Sequence, residues 1–114
     1  MKSKKELKEE YNQIKPKIGV YQILNLVNGK AFIDSSVNLD KIWNRHLAEL
    51  KMGGHRNTIL QADWKEFGET NFRYEILTEI KQTDDQDTDY AGEAKQLAKM
   101  FIEEAKSTGE AGYN

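Results

Sequence analysis

KIGVYQILNLVNGKAFID, residues 17–34, reads as two β-strands joined by a tight turn. Ile18 to Asn25 forms the first strand and Ala31 to Asp34 its partner. Asn28-Gly29 between them marks a hairpin, because both residues tolerate the positive φ that a type I′ turn needs. With a turn two residues long, Tyr21, Ile23, Asn25, Phe32 and Asp34 share one face, since side chains alternate along a strand.

Working outward, Ser3 and Glu6 have the spacing of a capping box, in which each side chain satisfies the other's free main-chain N–H. Leu7, Tyr11 and Ile14 follow at helical spacing and Pro16 stops the run, so residues 1–16 are expected as an N-terminal amphipathic helix. Beyond the hairpin, Asn38 can cap a helix whose apolar stripe is Leu39, Ile42, Trp43, His46, Leu47 and Leu50, and Gly53-Gly54 ends it. Asn57 caps a further helix with Leu60, Trp64 and Phe67 inward and Gly68 as its stop. Phe72, Tyr74 and Ile76 alternate as a third strand. Residues 81–89 are acidic and polar and read as a loop. A last helix from Tyr90 to Lys106 turns Ala94, Leu97, Ala98, Phe101 and Ile102 inward. The order is α-β-β-α-α-β-α, an α+β arrangement in a single domain over residues 1–114. One core is expected, gathering Leu24, Ile33, Trp43, Leu47, Leu60, Trp64, Phe67, Ile76, Leu97 and Phe101.

Composition bounds the partners. The 114 residues suffice for one core but not for a second, DNA-reading domain. Cysteine is absent, which excludes disulfides and thiolate metal sites. The charged first seventeen residues lack the apolar centre of a signal peptide, and no apolar run reaches membrane-spanning length. A soluble, cytoplasmic protein with no membrane partner is therefore expected. Net charge is −2. Its distribution is uneven: residues 1–17 carry six Lys against three Glu, and residues 79–110 carry nine acids against four Lys. Tight nucleic-acid binders concentrate cations on one face, because neutralised phosphates supply most of the affinity. Here only a small basic patch is available.

The ordered blocks Gly19-Val20-Tyr21, Phe32-Ile33-Asp34, Trp43-Asn44-Arg45-His46, Gly54-His55-Arg56-Asn57, Leu60-Gln61-Ala62-Asp63-Trp64, Phe67-Gly68-Glu69 and Asn71-Phe72 resemble those of the GIY-YIG nuclease superfamily. The terminal Gly112-Tyr113-Asn114 is also similar to the family's ending. Within that family the chain looks like a group of small, divergent bacterial members with a lysine-rich leader. The resemblance implies a three-stranded antiparallel sheet flanked by helices. It also implies a nuclease site with a tyrosine from each signature strand, an arginine on the next helix, and a late-helix glutamate holding one divalent metal. Phosphodiester hydrolysis needs a group to deprotonate water, a cation for the extra charge on phosphorus, and a metal for the leaving oxygen.

Compared position by position with that pattern, the chain departs from it repeatedly. Tyr21 matches the first tyrosine; as a plain strand residue it would pack its ring and leave its hydroxyl at the rim. Phe32 stands for the second tyrosine and keeps only the ring. Asp34 replaces a glycine, and two readings stand: a carboxylate facing an approaching phosphate, or a strand-end residue in solvent. Ile42 occupies the arginine position and suits the core. Arg45, one turn on, could substitute for it. His46 matches a family histidine and reads foremost as a hydrogen-bonded core residue. His55 is expected to be exposed. Lys41, Arg45, Lys51, His55 and Arg56 are the candidate nucleic-acid contacts. Ala98 occupies the glutamate position, with Glu93 and Glu103 turned to other faces of the helix. No metal ligand set is legible and no cofactor is expected; magnesium or manganese would enter only with an active nuclease.

Three functions are consistent with these residues. The first is a catalytically degenerate GIY-YIG-fold protein acting as a weak DNA-binding or regulatory module. The second is an active metal-dependent endonuclease with relocated arginine and glutamate. The third is a protein-interaction domain docking a partner through its N-terminal helix.

Overall fold

The structure, a computed structural model, describes residues 16–82, 88–107 and 112–114. Strands β1 (Gly19–Asn25), β2 (Ala31–Ser36) and β3 (Phe72–Glu79) form one antiparallel sheet in the order β2-β1-β3. Helices α1 (Leu39–Met52) and α2 (Thr58–Phe67) and a 3-10 turn (Glu69–Asn71) lie between β2 and β3, and α3 (Tyr90–Ser107) follows. This is the α+β architecture and element order expected from β1 onward. The helix expected over 1–16 and the centre of the 81–89 loop lie outside the described residues.

β1 is central because it is apolar on both faces. Tyr21 and Ile23 join Phe32, Leu39, Leu50, Leu60, Trp64 and Phe72 in a cluster under α1 and α2. Val20 joins Ile33 and Ala98 beneath α3, with Leu97, Phe101 and Ile102 packed against them. The single core expected from the sequence is thus two clusters separated by the sheet, as a sheet covered on both faces requires. Leu24 and Ile76 belong to neither, and Ile76 is 44 % exposed. It lies on an outer strand, where α1 covers Tyr74 (its Trp43 stacks there at 5.3 Å and 15°) and leaves Ile76 open.

The hairpin turn is longer than the two residues expected. Asn25 N–H donates to Lys30 O at 2.8 Å, leaving Leu26 to Gly29 as a four-residue loop. Only Gly29 has positive φ there, at 76°. Asn28 keeps a negative φ and uses its side-chain oxygen to accept from Lys30 N–H at 2.9 Å, the local bonding that competes with a type I′ geometry. The change moves the register by two, so the same residues share a face but meet different partners. Asp34 now stands opposite Tyr21.

Both helix starts are capped as expected: Asn38 accepts from Lys41 N–H and Asn57 from Leu60 N–H. Gly53 closes α1 in the left-handed region at φ 80°. The outer edge of β2 is covered by the last residues of the chain. Tyr113 N–H donates to Ala31 O at 3.0 Å, and the Asn114 side-chain amide bonds both main-chain groups of Ile33 at 2.8 Å. An otherwise open strand edge is thereby partnered.

Candidate functional site

The apolar stripe of α1 brings His46 down onto the sheet, and the loop after Gly53-Gly54 folds back over it. The result is a chain of polar groups inside the cluster under α1 and α2. The Tyr21 hydroxyl and His46 Nε2 are 2.6 Å apart, and His46 Nδ1 and His55 Nε2 are 2.8 Å apart. Asn57 main-chain N–H donates to His55 Nδ1 at 3.0 Å. The two imidazoles are stacked, with centroids 5.0 Å apart, and Phe32 sets its edge against both. Gln61 holds the loop from below, accepting from His55 N–H at 3.0 Å and donating to Leu50 O at 3.0 Å.

The expectation of an exposed His55 is overturned. It is 5 % exposed and His46 2 %. The reason lies in the loop: Gln61 and Asn57 hold the main chain of residues 55–57 against α2, which turns the ring inward. Burial pushes His46 down from 6.5 to about 4, with His55 adding to the effect and Glu49 opposing it. His55 is lowered by burial, against the opposing charge of Glu49. Burial, then the charge of Asp34, pushes Tyr21 above the usual tyrosine range, while Arg56 and Arg45 pull it back.

Tyr21 itself is fully buried, not rim-exposed. Asp34 pairs with Tyr21 across the strands, its side chain is 40 % exposed, and its Oδ2 lies 3.4 Å from Arg56 Nη2. With Phe32, Asn57, Ile102 and Asn114 this pair lines a shallow groove of about 410 Å³. Arg45 lies on the exposed side of α1, bonded to Glu49 at 3.2 Å, and Lys51 sits 3.6 Å from Glu69. Lys41 is exposed at the start of α1. The cations are therefore carried by α1 and the 55–57 loop, while His55 lies beneath them and presents no exposed surface to a phosphate.

At the two positions where the resemblance asks for an arginine and a carboxylate, the side chains are apolar and packed. Ile42 lies against the cluster under α1 and α2. Ala98 is 4 % exposed and packed with Val20 and Ile33 under α3, while Glu93 and Glu103 are exposed. The residues present do not fit the family's divalent metal. A different triple, His46, Glu49 and His55, brings one donor atom each within 4.8 Å. Its nitrogens are already committed: with His55 Nε2 on a metal, Nδ1 would carry the proton and collide with Asn57 N–H. Sequence spacing did not point to this triple, because the two histidines are brought together by the Gly53-Gly54 reversal. Asn57 and Gln61 were also missed as site residues, Asn57 reading only as a cap and Gln61 only as part of a block.

No protein-family model matches the sequence. The chain is 38 % identical over 64 residues to intron-associated endonuclease 1 of Enterobacteria phage T4, a match covering 56 % of this chain and 26 % of that protein. It thus spans about a quarter of the length of this curated relative. Its fold is similar to the catalytic domain of intron endonuclease I-TevI in a glutamate-to-alanine mutant form, with a TM-score of 0.70 and 32 % identity, covering 86 % of this chain and 92 % of that one. A second structure of the catalytic domain of homing endonuclease I-TevI superposes with a TM-score of 0.68 at 28 % identity, over 83 % of this chain and 95 % of that one. With the hairpin, the Tyr21–His46 pair and this likeness taken together, the chain belongs to the GIY-YIG family of homing-endonuclease-like domains.

Proposed function

We propose that this domain is a GIY-YIG nuclease fold that contacts DNA weakly and has lost strand cleavage, serving as a binding or regulatory module. One observation carries the reading: the positions of the family arginine and metal-holding glutamate are Ile42 and Ala98, both packed against the core. Isoleucine offers nothing to a pentavalent phosphorus, and a buried methyl offers no oxygen to a metal. Asp34 adds a negative charge beside Tyr21, where a phosphate would approach. The relatives are endonucleases by name, which makes DNA the natural ligand class for the groove. The composition favours a cytoplasmic setting, and among the described residues no helix is long and apolar enough to cross a membrane.

DNA affinity is expected to be weak and to fall steeply with salt, since the available cations, Lys41, Arg45, Lys51 and Arg56, meet phosphates alone. Fluorescence anisotropy with a labelled duplex across a salt series measures this. Salt-insensitive binding would contradict a phosphate-contacting surface.

A second reading, an active endonuclease with relocated arginine and glutamate, draws on one observation for the arginine: Arg45 and Arg56 both act electrostatically on Tyr21 and His46. That reading requires wild-type nicking of plasmid DNA that Arg45→Ala or Arg56→Ala abolishes. The interaction-domain reading rests on the amphipathic pattern of residues 1–16 alone.

A further inference from the structure

The Asn57–His55–His46–Tyr21 chain has a direction, and that direction follows from counting protons. Three links join four groups: Asn57 N–H to His55 Nδ1, His55 Nε2 to His46 Nδ1, and His46 Nε2 to the Tyr21 hydroxyl. Each link holds one proton. The main-chain amide, two neutral imidazoles and a tyrosine bring one each, so one proton is left over. The amide proton cannot move. Because it points at His55 Nδ1, that nitrogen must present its lone pair, and the His55 proton sits on Nε2. His46 Nδ1 must then accept, which places the His46 proton on Nε2, aimed at the Tyr21 oxygen. The Tyr21 hydroxyl is an acceptor in this link, and its own proton is the one left over. Glu49 does not divert the chain, because its Oε2 lies 3.9 Å from His55 Nε2, beyond hydrogen-bond distance. Among the described residues, the bond to His46 is the only hydrogen bond of the Tyr21 hydroxyl.

We propose that Asn57 is a positioning residue: its main-chain N–H orders the protons through His55 and His46, so that both rings are held in the Nε2–H form and His46 donates to the buried Tyr21 oxygen. Asn57 is suited to this because its other bonds fix it in place. Its side-chain oxygen caps α2 at Leu60 N–H and its amide donates to Tyr113 O at 2.8 Å. Both rings also stay neutral for a reason independent of burial: an imidazolium would add a second surplus proton to a chain that already has one. This proton order goes beyond the binding-module reading and does not depend on it, since its test reads the histidine rings without DNA.

The test is a long-range ¹H–¹⁵N correlation spectrum of the ¹⁵N-labelled protein at pH 7, with Asn57→Ala and Asn57→Pro beside the wild type. Both histidines are expected to be protonated at Nε2 with a bare Nδ1. A His46 protonated at Nδ1 would overturn the proposal, because Tyr21 would then be donating to it. Asn57→Ala keeps the main-chain N–H and should keep this order; Asn57→Pro removes it and should release His55 to the Nδ1–H form. A folded proline variant with both protons still on Nε2 would overturn the role of Asn57. If that variant fails to fold, the wild-type and alanine spectra decide.

Discussion

Asp34 shows how much rests on one side chain and its register. A carboxylate opposite Tyr21 holds Arg56 and places negative charge beside the groove. Asp34→Asn should free Arg56 and raise duplex affinity several-fold, about 1 kcal/mol, within the range of exposed ion pairs; anisotropy at fixed salt measures it, and unchanged affinity would place phosphates elsewhere. His46 makes a second prediction at this scale. It titrates near 6.5 when unfolded and near 4 when folded, so between those values the unfolded chain takes up a proton that the folded chain refuses. Stability should be full above about pH 6.5 and fall as pH drops towards 4, by about 3 kcal/mol for this group alone. Denaturant melts from pH 7 to 4 check it, with His46→Gln expected to flatten the profile. The groups around the ring are His55, Glu49, Arg45 and Arg56, with Tyr21 at its other nitrogen. Both side chains were visible in the sequence, but their environments were not. Asp34 had two open readings because its neighbour depended on a turn length, and His55 read as exposed because no local pattern reveals that a loop folds back.

Among the elements, helices and strands were legible wherever local chemistry decided them. Asn38 and Asn57 cap as their positions suggested, Gly53 takes the left-handed conformation a helix end favours, β1 and β2 begin and end within two residues of the runs that predict them, and β3 starts at Phe72 and runs three residues past Ile76. The turn failed because Asn28 can bond its own neighbourhood as readily as adopt positive φ, and dipeptide preference cannot tell these apart. The even shift in register is why the facing residues were still right. Elements also differ in what they tolerate. Asn57→Ala should cost more than Asn38→Ala, because Asn57 loses both its cap and its bond to Tyr113 O. About 1 kcal/mol is usual for a cap alone, and about twice that is expected for Asn57. Thermal melts of the two variants side by side check the order. Trp64, 7 % exposed between α2 and Phe72, should cost about 3–5 kcal/mol as Trp64→Ala.

At the scale of the whole molecule, the sheet separates two kinds of work. The face under α1 and α2 holds the Tyr21–His46–His55 chain, with Arg45 and Arg56 the cations that act on it. The face under α3 is apolar packing, and Ala98 belongs to that packing. The order of the sequence blocks suffices to assign the elements to one small sheet and its flanking helices, because a fold of this size leaves few ways to join them. That Ala98 stands where the resemblance asks for a carboxylate was readable as a residue identity. Its consequence, a methyl enclosed by Val20 and Ile33, is a matter of packing that no single position reveals. The measurement that tests the proposed loss of cleavage most directly is nicking of supercoiled plasmid with magnesium or manganese, comparing the wild type with Phe32→Tyr, Asp34→Gly, Ile42→Arg and Ala98→Glu combined. The wild type is expected to show no metal-dependent nicking and the combined variant measurable nicking, with little from any single change, since such groups act as a unit. Robust wild-type nicking that Arg45→Ala abolishes would contradict a degenerate site.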